Sequence, residues 1–353
     1  MDILNRFKRI SLVEKLLFTR NLGVMIGAGL PLGRALEILA VQTDSVKFRG
    51  ILENVNKNVQ AGKYFADALA EYPNTFNELF INMVRVGETA GNLEEVLKIL
   101  GRQMKREHFL ISRIKSALMY PTIIIIAMIL VGSIMMVTIV PKLAETFKDL
   151  NVELPATTRA VIFFSETLAS YWYLYIIIIA AFVYFIYFFT KKTTAGKHLM
   201  DYIALHIPYF KNIVKKFNGA RFARTFSSLV ESGVPIVTSL EITSRTLGNH
   251  YYAQSLMNAA REVEKGKPLN EPLSLDPNLY AHLAIEMVAV GEETGTLSKI
   301  LHRLALFYEE EVDNITKGLS AIIEPILVII IGVFVGFFAV SMIQPMYSIV
   351  EVM

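Results

Sequence analysis

The chain has 353 residues, of which 53% are hydrophobic and only 19% charged, and its mean hydropathy is +0.44. Soluble domains carry about 25% charge, so disorder is excluded and part of this chain is expected in lipid. Zero cysteines exclude disulfides, thiolate metal sites and cysteine nucleophiles, and a net charge of +3 is too small to point to nucleic acid.

In chain order, the first hundred or so residues have helical periodicity throughout. A first helix ends near Gly27–Gly29, and Pro31 suits the first position of the next, where its missing N–H costs nothing. Ser45 caps a third helix that stops at Gly62. A short helix ends before Pro73, and another runs from about Asn77 to Thr89. Gly91 suits a left-handed C-terminal position, and Asn92 with Glu95 resembles a capping box. The helix that starts there continues through Arg113 toward Leu118–Val140, 23 residues without an ionisable side chain. At 1.5 Å per residue that is about 35 Å, enough to cross the hydrocarbon core.

A loop at 141–170 follows, and then a second uncharged stretch, Tyr171–Thr190, with Tyr171, Trp172 and Tyr173 at one end and Tyr187 near the other. That is an aromatic belt at both interfaces. The third span, 319–343, holds one acid, Glu324, beside Pro325. Residues 1–115 contain 17 Lys and Arg, residues 191–317 contain 15, and the loop contains Lys142, Lys148 and Arg159. The positive-inside rule therefore puts 1–117 and 191–318 in the cytoplasm as helical domains, the spans at 118–140, 171–190 and 319–343, and the loop and the tail 344–353 outside.

The two cytoplasmic segments are copies of one another. At an offset of 204, Gly29-Leu30-Pro31 returns as Gly233-Val234-Pro235, and Leu36-Glu37-Ile38 as Leu240-Glu241-Ile242. Residues 18–100 and 222–304 share 26 identities in 83 positions, where chance gives roughly 6%. Pro121 matches Pro325 and Pro141 matches Pro345, so each repeat includes the span that follows it. The fold class is thus an all-α membrane protein with two homologous six-helix bundle domains in the cytoplasm and three transmembrane helices.

The sharpest motif is Gly87-Glu88-x-x-Gly91-x-Leu93, repeated as Gly291-Glu292-x-x-Gly295-x-Leu297. A turn explains the glycines and leucines but not an acid kept in both copies. Three roles stand open for Glu88 and Glu292: capping a neighbouring helix, meeting a basic partner surface, or holding a cation. A divalent site needs several converging oxygens, which one glutamate does not supply. Gly27-Ala-Gly29-x-x-x-Gly33 echoes a dinucleotide loop but lies between helices, so it is read as a corner. Six scattered histidines include no pair at metal-binding spacing, and nothing places a nucleophile beside Tyr280 and His282. The run Glu309-Glu310-Glu311 with Asp313 is read as a solvated helix face or, less simply, a docking surface. Tyr120-Pro121 and Glu324-Pro325 are expected to mark a kink or break where a helix meets the membrane, and Glu324 should face protein or headgroups.

Further residues carry a family resemblance: Arg113-Ile114-x-x-Ala117-Leu118-x-Tyr120-Pro121 before the first span, Ile139-Val140-Pro141 at its end, and Glu324-Pro325 opening the third. With the repeated turn, they make the chain resemble the inner-membrane platform proteins of type II secretion and type IV pilus systems, the GspF/PilC family. The resemblance covers about Phe18 to Tyr347, and about 17 residues precede the first repeat, where some relatives have a longer extension. It implies a homo-oligomeric platform without catalytic activity or cofactor in the bacterial inner membrane. Its implied partners are a hexameric cytoplasmic assembly ATPase, pilin or pseudopilin helices and other inner-membrane assembly proteins. The chain has no P-loop of its own, so any ATP-driven motion is borrowed. A transporter would bury ionisable residues or broken helices at midplane, and an enzyme or receptor would need a nucleophile–base pair or ligand pocket; the sequence offers none of these.

Overall fold

The computed structural model describes residues 10–149, 155–207 and 210–352. The first repeat folds as α1 (Leu12–Gly27), α2 (Leu32–Gln42), α3 (Val46–Gln60), α4 (Phe65–Ala70), α5 (Glu78–Thr89) and the opening turns of α6 (Leu93–Asp149). After α7 (Ala156–Lys192) and α8 (Thr194–His206), the second repeat follows the same order. It comprises α9 (Phe210–Glu231), α10 (Ile236–Thr246), α11 (His250–Glu264), α12 (Asn270–Ser274), α13 (His282–Glu293) and the start of α14 (Leu297–Val352). There is no strand among the described residues.

Local chemistry sets the helix ends. Ser11 and Glu14 form a capping box on α1, with Glu14 N donating to Ser11 Oγ at 3.1 Å and Ser11 N to Glu14 Oε2 at 2.7 Å. Ser45 and Asn77 cap α3 and α5 as their side chains accept from Phe48 N and Phe80 N. Pro31 and Pro235 sit at the N-cap, one residue before the expected position, and their carbonyls accept the first helical bonds, from Ala35 N and Ser239 N. Asn92 accepts through its backbone carbonyl, from Glu95 N and Val96 N, where the sequence suggested a side-chain capping box.

Each repeat is built on a triangle of rings related by the 204-residue offset. Phe18, Phe48 and Phe76 lie 5.6 to 6.3 Å apart in the first. In the second, Phe222 and Tyr252 lie 5.7 and 5.5 Å from Tyr280. All six rings are buried. The hydroxyl of Tyr252 donates to Leu279 O at 2.6 Å, which satisfies a polar group that its counterpart Phe48 lacks. Burial pushes the pKa values of Tyr252 and Tyr280 well above the usual phenol range, so both stay neutral.

The two six-helix bundles pack on each other. Residues up to Ser112 and Asp201–Asp313 make one compact unit, while Arg113–Met200 and the residues from Asn314 onward make a second. Within the first unit Leu229, Val234 and Ile242 of the second repeat join the same apolar cluster as Phe48 and Leu36 of the first.

In the second unit three helices are long and apolar enough to cross a membrane. Hydroxyls bind between these helices: Thr158 donates to Ser341 O and Ser165 to Met136 O. Val140, Val161 and Met342 form a small cluster. The segment 141–170, read as a loop, is helical over 141–149 and 156–170, and the tail is helical to Val352. Polar turns at the end of a span look like loop because their apolar period stops, although their backbone continues to hydrogen-bond.

Candidate functional site

The repeated turn has the same construction twice. Gly87 is buried at the end of α5, where a Cβ would come within 2.9 Å of the Val96 side chain; at Gly291 it would come within 3.1 Å of Leu297 Cα. These glycines permit close packing of one helix end on the next helix start. Gly91 and Gly295 have φ of +68° and +65°, the left-handed conformation that reverses the chain. The following N–H groups, of Asn92 and Thr296, both return at 2.9 Å to the carbonyls of Gly87 and Gly291. Gly29 and Gly233 occupy matching left-handed corners ahead of Pro31 and Pro235, which is the helix–turn–helix corner expected there.

The acids cap. Glu88 accepts from Phe65 N at 2.6 Å and from Ala66 N at 3.0 Å, the free amides at the start of α4. Glu292 accepts from Leu269 N at 2.7 Å, the matching amide ahead of α12. Of the three roles left open, the structure displays the first. Glu88→Ala is expected to cost about 1–3 kcal/mol, the penalty for leaving part-buried donors unsatisfied at a charged acceptor. Faster amide hydrogen exchange confined to α4 and its neighbours would report it, and unchanged exchange there would show the cap to be dispensable.

The acidic run before the third span is not a solvated face throughout. The Glu309 side chain is 6% exposed and pairs with Arg224, 13% exposed, at 2.7 Å. Arg106, from the other repeat, approaches the second carboxylate oxygen at 3.8 Å. Arg224 also donates to His302 Nδ1 at 3.2 Å, and burial followed by the Arg224 charge holds the His302 pKa below its usual value. Glu311 pairs with Lys216. Further bonds join the repeats: Arg221 to Glu107 at 3.3 Å, Arg245 to Glu78 at 2.8 Å, and buried Gln103 Nε2 to Thr225 Oγ1 at 3.2 Å. Sequence reasoning missed this seam. Its one signal was charge inversion at matched positions, since Lys105 and Arg106 correspond to Glu309 and Glu310.

At the membrane entry Pro121 and Pro141 lie inside continuous α6, and Pro325 and Pro345 fall within the helical range of α14. Of the expected kink or break, no break is seen at the prolines among the described residues; Tyr171 of α7 has non-helical φ −123° and ψ 26°. Thr122, next to Pro121, donates to Leu118 O at 2.7 Å, a side-chain bond close to where proline leaves a carbonyl free. Pro121 is buried and Tyr120 exposed, while Glu324 and Pro325 are exposed. Tyr280 is buried and the His282 side chain is 89% exposed, so they form no relay.

Comparison with known proteins matches the geometry. The family model for type II secretion system protein F fits twice, at residues 18–141 and 222–345, which is the tandem repeat with one span attached to each copy. A type IV pilus assembly protein PilC from Thermus thermophilus is 38% identical over 336 residues, covering 95% of this chain and 82% of that protein. PilC of Pseudomonas aeruginosa is 31% identical over 99% of this chain and 93% of its own length. A type II secretion system protein F from Aeromonas hydrophila is 30% identical over 98% and 89%. With two matched repeats, three apolar helices and relatives aligned almost end to end, this multi-pass membrane protein belongs to the type II secretion system protein F family.

Proposed function

We propose that the chain is the non-enzymatic inner-membrane platform of a type IV pilus or type II secretion machine. In this reading it couples a cytoplasmic assembly ATPase to the movement of pilin or pseudopilin helices, acts as a homo-oligomer among other inner-membrane assembly proteins, and keeps both repeats in the cytoplasm. The distribution of Lys and Arg supports that orientation, and the names of the relatives support a role in these systems.

The observation that carries the coupling role is the continuity of α6 and α14. Each begins in a repeat at the Gly-Glu turn and stays helical into an apolar stretch long enough to span a bilayer. A continuous helix passes a displacement of its cytoplasmic end to its membrane end, and an interior proline sets a bend that redirects it. Pro121→Ala and Pro325→Ala should therefore leave insertion and ATPase copurification intact while filament yield falls. Loss of the ATPase from the proline variants, or full filament yield, would overturn the coupling role of these helices.

A further inference from the structure

The seam between the repeats leaves a groove of about 1240 Å³ inside the first unit. Its walls are α6 of the first repeat and α9 and α14 of the second. Six basic side chains line it: Arg102, Lys105 and Arg106 on α6, Arg224 on α9, and Lys299 and Arg303 on α14. Against them stand only Glu231 and Glu292 among the lining acids, and Glu292 is engaged as a helix cap. Arg224 and Arg106 are committed to Glu309, and Arg102 approaches Glu95 at 3.4 Å. Lys105, Lys299 and Arg303 are exposed and make no ion pair among the described residues. Phe109 and Leu306, 37% and 39% exposed, add apolar surface at the end of the groove nearest the spans along the chain.

The geometry points to a docking groove for an acidic polypeptide segment of a partner protein, with carboxylates meeting Lys105, Lys299 and Arg303 and apolar side chains covering Phe109 and Leu306. The distribution of charge selects the occupant. The α6 wall from Ile99 to Phe109 covers eleven residues, about 16 Å of helix, and the α14 wall is similar. Cations spread over that length, with aromatic and aliphatic surface at one end, suit a chain bearing several carboxylates better than a single compact phosphate. The repeats themselves show the complementarity: where α6 carries Lys105 and Arg106, matched positions of α14 carry Glu309 and Glu310, and Glu309 already pairs with Arg106 across the seam. The inference rests on this chemistry and not on the partner being the ATPase.

The test uses the full chain in phosphatidylcholine nanodiscs with a fluorescein-labelled amphipathic helical peptide bearing Glu on one face and Leu on the other, about 12 residues long to match the walls. The triple variant Lys105→Glu, Lys299→Glu, Arg303→Glu should bind it at least tenfold more weakly, and the Gln triple variant should fall between. These side chains are exposed and unpaired, so the helical circular dichroism of the variants should be unchanged. Reversing Lys47, Lys57 and Arg261, which lie outside the groove, should leave affinity within twofold. Equal weakening by both triple sets would reduce the effect to net charge and overturn the inference. Displacement of the peptide by pyrophosphate alone would assign the groove to small anions. Loss of wild-type peptide binding on moving from phosphatidylcholine to phosphatidylglycerol nanodiscs, at salt high enough to screen bulk repulsion, would assign it to lipid headgroups. Either result overturns a polypeptide site, whereas the ATPase copurification described above can succeed or fail independently.

Discussion

Glu309→Ala is expected to destabilise the first unit by about 3–5 kcal/mol, the cost of breaking a buried ion pair from one side. Arg224 Nε donates to Glu309 Oε1 at 2.8 Å, and its Nη2 lies 2.7 Å from the same oxygen. Without the carboxylate, the guanidinium stays 87% covered with His302 Nδ1 at 3.2 Å as its remaining close partner. The Arg106 contact at 3.8 Å is too long to be a hydrogen bond and contributes mainly Coulombic attraction. The penalty is desolvation of an unpaired charge, so removing both charges should relieve it. Arg224→Met with Glu309→Met is therefore expected to recover most of the loss, so the two single losses should be strongly non-additive. Hydrogen exchange along α9 and the first turns of α14 would measure both. Additive losses in the double variant would show that the pair is not the source.

Phe48→Ala and Tyr252→Ala should each cost about 3–5 kcal/mol, the range for deleting a fully buried ring whose site collapses incompletely. Phe48 and Tyr252 are both 0% exposed and occupy matching corners of the two ring triangles. Tyr252→Phe should cost about 0.5–1.5 kcal/mol, since it removes only the hydroxyl bond to Leu279 O. The apolar cluster holding Phe48 extends to Leu229, Val234 and Ile242 of the second repeat. Loosening by Phe48→Ala should accordingly spread to exchange in α9 and α10. Loosening confined to α1–α5 would mean that the two cores fold independently.

Much of this molecule is written locally. The three spans follow from uninterrupted apolar length, and the tandem repeat from identity at a fixed offset. Gly91 and Gly295 announce a reversal because a left-handed residue is needed wherever a helix ends and the chain turns back. Ser45 and Asn77 cap amides only three residues ahead, so their role is visible in a short window. Glu88 and Glu292 were legible as meaningful, since an acid kept beside a glycine turn in both copies needed a reason, but the amides they cap lie 23 residues back in the chain.

The tertiary structure decided the rest. Glu309 looked like one member of a solvated acidic run, because periodicity places a side chain on a face without saying what covers that face; Arg224, 85 residues away, and Arg106 of the other repeat do so. Pro121 suggested a kink or break, yet α6 runs through it without interruption, since an apolar surround makes every remaining backbone bond costly to lose. The union of the two repeats in one unit was equally hidden: each copy encodes its own ring triangle, while the seam depends on charges that differ between the copies. Short-range hydrogen bonding and apolar period are properties of a segment and survive in the sequence, but desolvation of a charge is a property of everything packed around it and exists only once the chain has folded.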